Sequence, residues 1–244
     1  MKADLTTLIA LATANQHKAQ EISQILAGDF QFLTLADFPG APAAAEDASS
    51  FAGNAIKKAS ALAQWIVAHP AGLWETMKLR PRLLLVLADD SGLEVDALGG
   101  APGVHSARFA AADAGGGNTP DAANNAKLKR LLAGVPAEKR TARFRCVLAL
   151  IRLSFQAPSG ESPRVLAEGP LLIEGLCEGR IGFAELGAGG FGYDPLFIPF
   201  GRAESFAQLD AEAKNSLSHR SIALRKLLPL LGPQPVSAPP SPGA

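Results

Sequence analysis

Residues 83–88 read Leu-Leu-Leu-Val-Leu-Ala and run straight into Asp89-Asp90. A strand with one wet face alternates apolar and polar residues, so an unbroken apolar run needs cover on both faces. That requires helices on each side of a sheet and points to an α/β fold. A second apolar run, 8–12, ends at Thr13-Ala14-Asn15. It gives way to a helical spacing of Ala19, Ile22, Ile25 and Leu26, with Gly28 as the stop. Ser50 is placed to cap a further helix, whose stripe includes Ala52, Ala55, Ile56, Ala59, Leu62, Ala63, Ile66 and Val67, and His69-Pro70 ends it. Residues 34–50 and 113–120 read as loops, and 124–132 as a short helix. Residues 143–153, 165–167 and 171–173 read as strands, and 191–200 as an aromatic strand or loop. Ser218 is placed to cap a last helix carrying Ile222, Ala223, Leu227 and Leu230. Asp89-Asp90-Ser91-Gly92 is expected to end its strand.

The balance of charge limits the possible partners. Lys+Arg and Asp+Glu both number 23, giving zero net charge, which argues against a general electrostatic grip on nucleic acid or an anionic membrane. A local cationic pocket is still allowed. Cys146 and Cys177 form neither a disulfide framework nor a zinc pattern. There is no stretch of about 18 apolar residues, and the start of the chain does not read as a signal peptide. The cytoplasm is the expected location. Residues 67–83 read as a surface excursion, and 232–244, with five prolines, as a disordered tail behind one domain over 1–231.

Four segments carry candidate chemistry. Two adjacent carboxylates after a buried strand are costly without a partner, and a hard cation such as Mg²⁺ shared with a phosphate would neutralise them. Glu46, or its neighbour Asp47, could add a ligand. Otherwise Asp89 and Asp90 sit in a solvated turn. Thr13-x-Asn15-x-x-Lys18 puts short polar side chains and a cation where free N–H groups at a helix start suit phosphate; the plainer alternative is an Asn cap with a solvated lysine. Gly187-Ala188-Gly189-Gly190-Phe191-Gly192 matches GxGxxG, but Pro195 follows where a helix would have to start, so a dinucleotide site is rejected. Phe191 and Tyr193 suit either stacking on a base or packing over a sheet edge. Lys214, His219 and Arg220 cluster around an expected helix start. His17, His69 and His105 read as surface or packing residues.

These segments together resemble the inosine/xanthosine triphosphate pyrophosphatases. The matching stretches are TANQHK (13–18), Glu46 with FAGNAIKKA (51–59), LADDSGLEVDALGGAPGVHSARF (87–109), FRCVLAL (144–150), GGFGYDPLFIP (189–199) and KNSLSHRSIAL (214–224). The resemblance implies an elongated, mixed, twisted sheet with flanking helices and two lobes around a central cleft, usually in a homodimer. It implies Mg²⁺-dependent hydrolysis of ITP, dITP and XTP to the monophosphate and pyrophosphate. On that likeness Thr13, Asn15 and Lys18 hold the triphosphate. Glu46 and Asp90, supported by Asp89, hold the metal, and Asp90 accepts the proton. Ser91 touches substrate; Phe191, Gly192, Tyr193 and Asp194 form the nucleoside loop; Lys214, His219 and Arg220 contact the base or another part of the substrate. Lys58 and Arg108 are further polar positions of the cleft. Donor-only Lys214 and Arg220 would favour a keto group at C6 over an amino group. The chain departs from the family at Ala14 and Ala110, where glycine is usual, and at His105, where tyrosine is usual. A pyrophosphatase for dTTP-like substrates and a non-catalytic nucleotide-binding module are the competing readings.

Overall fold

The computed structural model describes residues 7–26, 28, 30–70, 83–113, 117–156 and 164–231. Expectations for 71–82 of the excursion, for 114–116 of the Gly-rich loop and for the tail 232–244 fall outside the described residues. Six strands form one mixed sheet in the order β2-β1-β3-β4-β5-β6. They are β1 (Thr7–Leu11), β2 (Phe30–Leu33), β3 (Leu83–Val95), β4 (Thr141–Gln156), β5 (Arg164–Ile181) and β6 (Phe197–Pro199). β1 runs parallel to β2 and β3, and the remaining pairs are antiparallel. Among the described residues five α-helices flank the sheet: α1 (Gln16–Ile25), α2 (Phe51–Ala68), α3 (Asp121–Leu131), α4 (Ala211–Leu217) and α5 (His219–Leu231).

The pleat sorts the core. Leu84, Val86 and Ala88 of β3 face Ala55, Ala59, Leu62 and Ile66 of α2. Leu85 and Leu87 face Ile22 of α1 and Ala223, Leu224 and Leu227 of α5 on the other side. The unbroken run thus has two covers, as expected. A separate core forms around the far halves of β3, β4 and β5, where Leu93, Val95 and Phe144 meet Leu128 of α3, Tyr193, Phe197 and Phe206. These are the two lobes, and the long strands run through both.

β1 stops pairing at Leu11↔Leu87, where Ala12 N–H gives one last bond to the Leu87 carbonyl at 2.8 Å. From Ala88 onward, no described strand lies beside β3 on its β1 edge, and a cleft opens there. β3 does not end at Asp89, contrary to expectation. It continues to Val95 because β4 satisfies its backbone throughout, with Asp89↔Leu148 and Asp90↔Val147 in register. The polar residues mark the end of cover, not the end of the strand. β5 is likewise one strand where two short ones were expected: from 173 onward alternate residues are buried and the others exposed, so the apolar signal is diluted. β2, with 4 residues, and α4, with 7, are too short to establish a period and were not anticipated. The segment 187–192 leads into turns, with no helix behind it.

Candidate active site

The cleft is lined from both lobes, by Asn15, Lys18, Glu46, Asp90 and Ser91 on one side and Phe191 to Asp194, Lys214, His219 and Arg220 on the other. Its first wall is the β1–α1 turn. Asn15 caps α1, its Oδ1 accepting from Lys18 N–H at 3.1 Å, and Thr13 Oγ1 accepts from Asn15 N–H at 3.2 Å. Those side chains shape the turn. Lys18 is not solvated: its Nζ lies 2.6 Å from Asp89 Oδ1.

The paired aspartates part company across the pleat. Asp89 turns to the α1/α5 face, where it meets Lys18, Arg220 Nε at 3.1 Å, the Cys146 thiol at 3.0 Å and the Ser91 hydroxyl at 3.0 Å. Burial pushes the Asp89 carboxyl up, but the Arg220 guanidinium and Lys18 ammonium outweigh it and hold it well below the usual range. Asp90 turns to the α2 face. Lys58 Nζ sits 2.9 Å from its Oδ1, and Asn54 Nδ2 donates to its Oδ2 at 3.1 Å. Here burial wins over Lys58, and the Asp90 pKa is raised. The two acids therefore meet different side-chain cations, Asp89 meeting Lys18 and Arg220 and Asp90 meeting Lys58.

Asp90 and Glu46 are the acids that converge. Lys58 Nζ touches Asp90 and also Glu46 Oε1 at 3.1 Å. Asp47 faces outward to Lys57 instead. Arg108 fixes the acid loop by donating to the Glu46 carbonyl at 2.7 Å. Asn54, one turn before Lys58, also bridges the loop to β3, accepting from Ala48 N–H at 2.9 Å. Two hard carboxylates meeting at one ammonium form a donor set that suits a divalent ion. No group of three or more such ligands stands among the described residues, so remaining positions would fall to water or phosphate.

The opposite wall holds the aromatic loop. Phe191 stacks on His17, centroids 5.4 Å apart at 18°, and Lys214 Nζ lies 5.0 Å from the Phe191 ring centre. His17 is thus a packing residue behind the aromatic loop. Tyr193 is buried and donates to the Ser106 carbonyl at 2.8 Å. Lys214 bonds Asp194 Oδ2 and Glu21 Oε1, both at 2.7 Å. Lys214 sits near the C-terminal end of α4, where the helix dipole favours it, and not at a helix start. Arg220 is held by all three of its nitrogens, with Nε to Asp89, Nη2 to Ser91 Oγ at 2.9 Å and Nη1 to Glu21. Burial and the neighbouring Arg220 charge hold His219 neutral, its pKa far below the ordinary value. Its ring stacks on Phe144 at 4.8 Å, and its Nδ1 has no partner among the described residues.

Glu21 is the group most clearly missed. It reaches Lys214 and Arg220 from α1, nearly 200 residues earlier in the chain. Nothing local marks it out from any other helical glutamate. Asn54 was more legible, since Asn54 and Lys58 share one helix face at i, i+4.

The fold and the cleft define the class: an α/β enzyme in which converging acids face an aromatic wall across one groove. The chain belongs to the Ham1 family, whose model matches residues 9–230. A relative named dITP/XTP pyrophosphatase from Desulforamulus reducens is 45% identical, covering 91% of this chain and 94% of its own. One of the same name from Geobacillus kaustophilus is 44% identical, over 90% and 91%. Among solved structures, the Staphylococcus aureus Ham1 protein superposes with a TM-score of 0.68 at 32% identity, covering 92% of this chain and 98% of that one. A HAM1 protein from Coxiella burnetii gives 0.67 at 33%, with the same coverage.

Proposed function

We propose that this protein hydrolyses deaminated purine nucleoside triphosphates (ITP, dITP and XTP) to the monophosphate and pyrophosphate. The observation that carries the reading is the convergence of Glu46 and Asp90 on one ammonium, in the same cleft as Lys18 and Phe191. The names of the relatives support the substrate class. Asn15, Lys18 and the start of α1 bind the triphosphate, and Thr13 shapes the turn that presents those groups. Glu46 and Asp90 would hold a divalent ion, Mg²⁺ by their hard-oxygen chemistry, which when bound supplies charge neutralisation at the phosphates. Asp90 accepts the proton of the water that attacks the α-phosphorus. The bond to the bridging oxygen breaks, and that oxygen leaves with pyrophosphate. The raised Asp90 pKa suits a base. Asp89 acts behind it, holding Lys18, Ser91 and Arg220 in place.

Base selection belongs to the far wall. Phe191 offers a stacking face. Lys214 has three N–H groups and spends two on Glu21 and Asp194, which leaves one for a keto oxygen at C6. An amino group there would face a like donor. Neutral His219 offers an unpaired ring nitrogen beside it. The reading includes a homodimer in the cytoplasm, and light scattering on the purified protein tests the dimer. Incubation with ITP, dITP, XTP, ATP, GTP and dTTP in Mg²⁺ tests the activity. Pyrophosphate from the first three, in excess over the others, is expected. Orthophosphate alone, a preference for ATP or dTTP, or tight ITP binding without turnover would overturn it.

A further inference from the structure

We propose that Asp121 and Asn125 of α3 are positioning residues that clamp Gly192 and so set where Phe191 and Tyr193 stand in the cleft. Asp121 Oδ2 accepts from Gly192 N–H at 2.6 Å, and Asn125 Nδ2 donates to the Gly192 carbonyl at 3.0 Å. Both polar groups of one loop residue are thus held by side chains one helical turn apart. Gly192 needs such a hold. Its φ is +64°, in the left-handed region, and a Cβ built there would meet nothing within 4 Å. Glycine is present for its backbone conformation, not for want of space. A single left-handed residue in a turn has no ladder to fix it.

Asn125 supplies the second strand of reasoning. It is 2% exposed, and its Oδ1 has no partner among the described residues. A buried amide with an unmet acceptor is unfavourable compared with an apolar side chain at the same position. Among the described residues its amide bonds Gly192, and this bond is what the buried amide contributes. The buried face of α3 opens with Asn124 and Asn125 and becomes apolar only at Leu128. Asn124 accepts from Ala110 N–H at 2.8 Å and Thr119 Oγ1 at 2.7 Å. The start of α3 therefore binds loops, and only its later turns bind core. The neighbours of Gly192 are pinned from elsewhere: Phe191 N–H to Asp194 Oδ2 at 2.9 Å, and Tyr193 to Ser106. The α3 clamp is the hold on the residue between them.

What the loop contacts rests on the nucleotide reading above; the clamp itself does not. Two measurements separate them. Amide exchange at Gly192, followed by NMR without nucleotide, should speed up about tenfold in Asp121→Ala and stay near wild type in Asp121→Asn, which keeps an acceptor. In steady state with ITP, Asp121→Ala and Asn125→Ala should raise KM about five- to tenfold while kcat stays within about twofold. Asn125→Asp, which loses the donor, should be at least as impaired as Asn125→Ala. Unchanged Gly192 exchange in Asp121→Ala, an Asp121→Asn variant as impaired as Asp121→Ala, or unmoved KM in folded variants would each overturn the proposal. If wild type releases no pyrophosphate from ITP, the functional reading fails and the exchange measurement still decides the clamp.

Discussion

Replacing Glu21 by Gln tests whether the far wall is held by charge. The Glu21 side chain is 14% exposed and bridges Lys214 and Arg220, whose side chains are 9% and 2% exposed. Breaking a buried ion pair costs about 3–5 kcal/mol, because it strands the partner charge. Here each cation keeps another carboxylate, Asp194 or Asp89, so the low end applies, about 3 kcal/mol at neutral pH. The pH dependence has a definite sign. Burial pushes the Glu21 carboxyl up, but Arg220 and Lys214 outweigh it, and its pKa lies below the ordinary 4.5. Its contribution is therefore complete above 4.5 and is lost as pH falls through the lower folded value. Urea unfolding of wild type and variant at pH 7 and across pH 5 to about 3 reads both quantities. The gap should be widest at neutral pH and close on acidification, with kcat/KM for ITP reduced at pH 7. A gap below about 1 kcal/mol at pH 7, the range of an exposed pair, or one that widens in acid would refute the reasoning.

Three further outcomes are expected. Asp90→Asn should lower pyrophosphate release by at least about a hundredfold. Its thermal midpoint should not fall, because burial already disfavours the Asp90 charge and Lys58 keeps Glu46; turnover near wild type would remove Asp90 from the chemistry. Gly175→Ala should press on α5, since a Cβ there would lie 2.5 Å from Ala223 N and closer still to the His219 carbonyl. A cost of about 1–3 kcal/mol and a drop in kcat/KM through displaced His219 and Arg220 are expected, and normal kinetics would show that α5 tolerates the shift. Arg140 donates to the carbonyls of Leu132, Val135 and Gly182 and stacks on Phe183 at 3.9 Å. Arg140→Ala should cost about 3 kcal/mol in chemical unfolding with kcat intact, because none of these groups lines the cleft; a matching loss of kcat would mean that the second lobe is coupled to the chemistry.

Much of this protein is written locally. The runs 8–12 and 83–88 fix two inner strands, because apolar residues without alternation need two covers. Ser50 and Asn15 fix helix starts through their own side chains, which accept from Gly53 and Lys18 N–H groups. The GxGxxG stretch could be rejected from Pro195 alone. The acids, the phosphate turn and the basic cluster were all legible as residue types. Which of them touch was not. Asp89 and Asp90 are neighbours in sequence, yet the pleat sends one to α1 and α5 and the other to α2. That follows only once β3 is seen to run on past them, with β4 at its side. Glu21, Asn125 and Cys146 gain their roles from partners 57 to 199 residues distant, and no local pattern encodes a pairing of that span. The sequence determined the inner strands, the capped helices and the chemical inventory, since propensity, capping and periodicity act over a few residues. The tertiary structure decided which charges neutralise each other, since that depends on burial and on distances of about 3 Å between groups far apart in the chain.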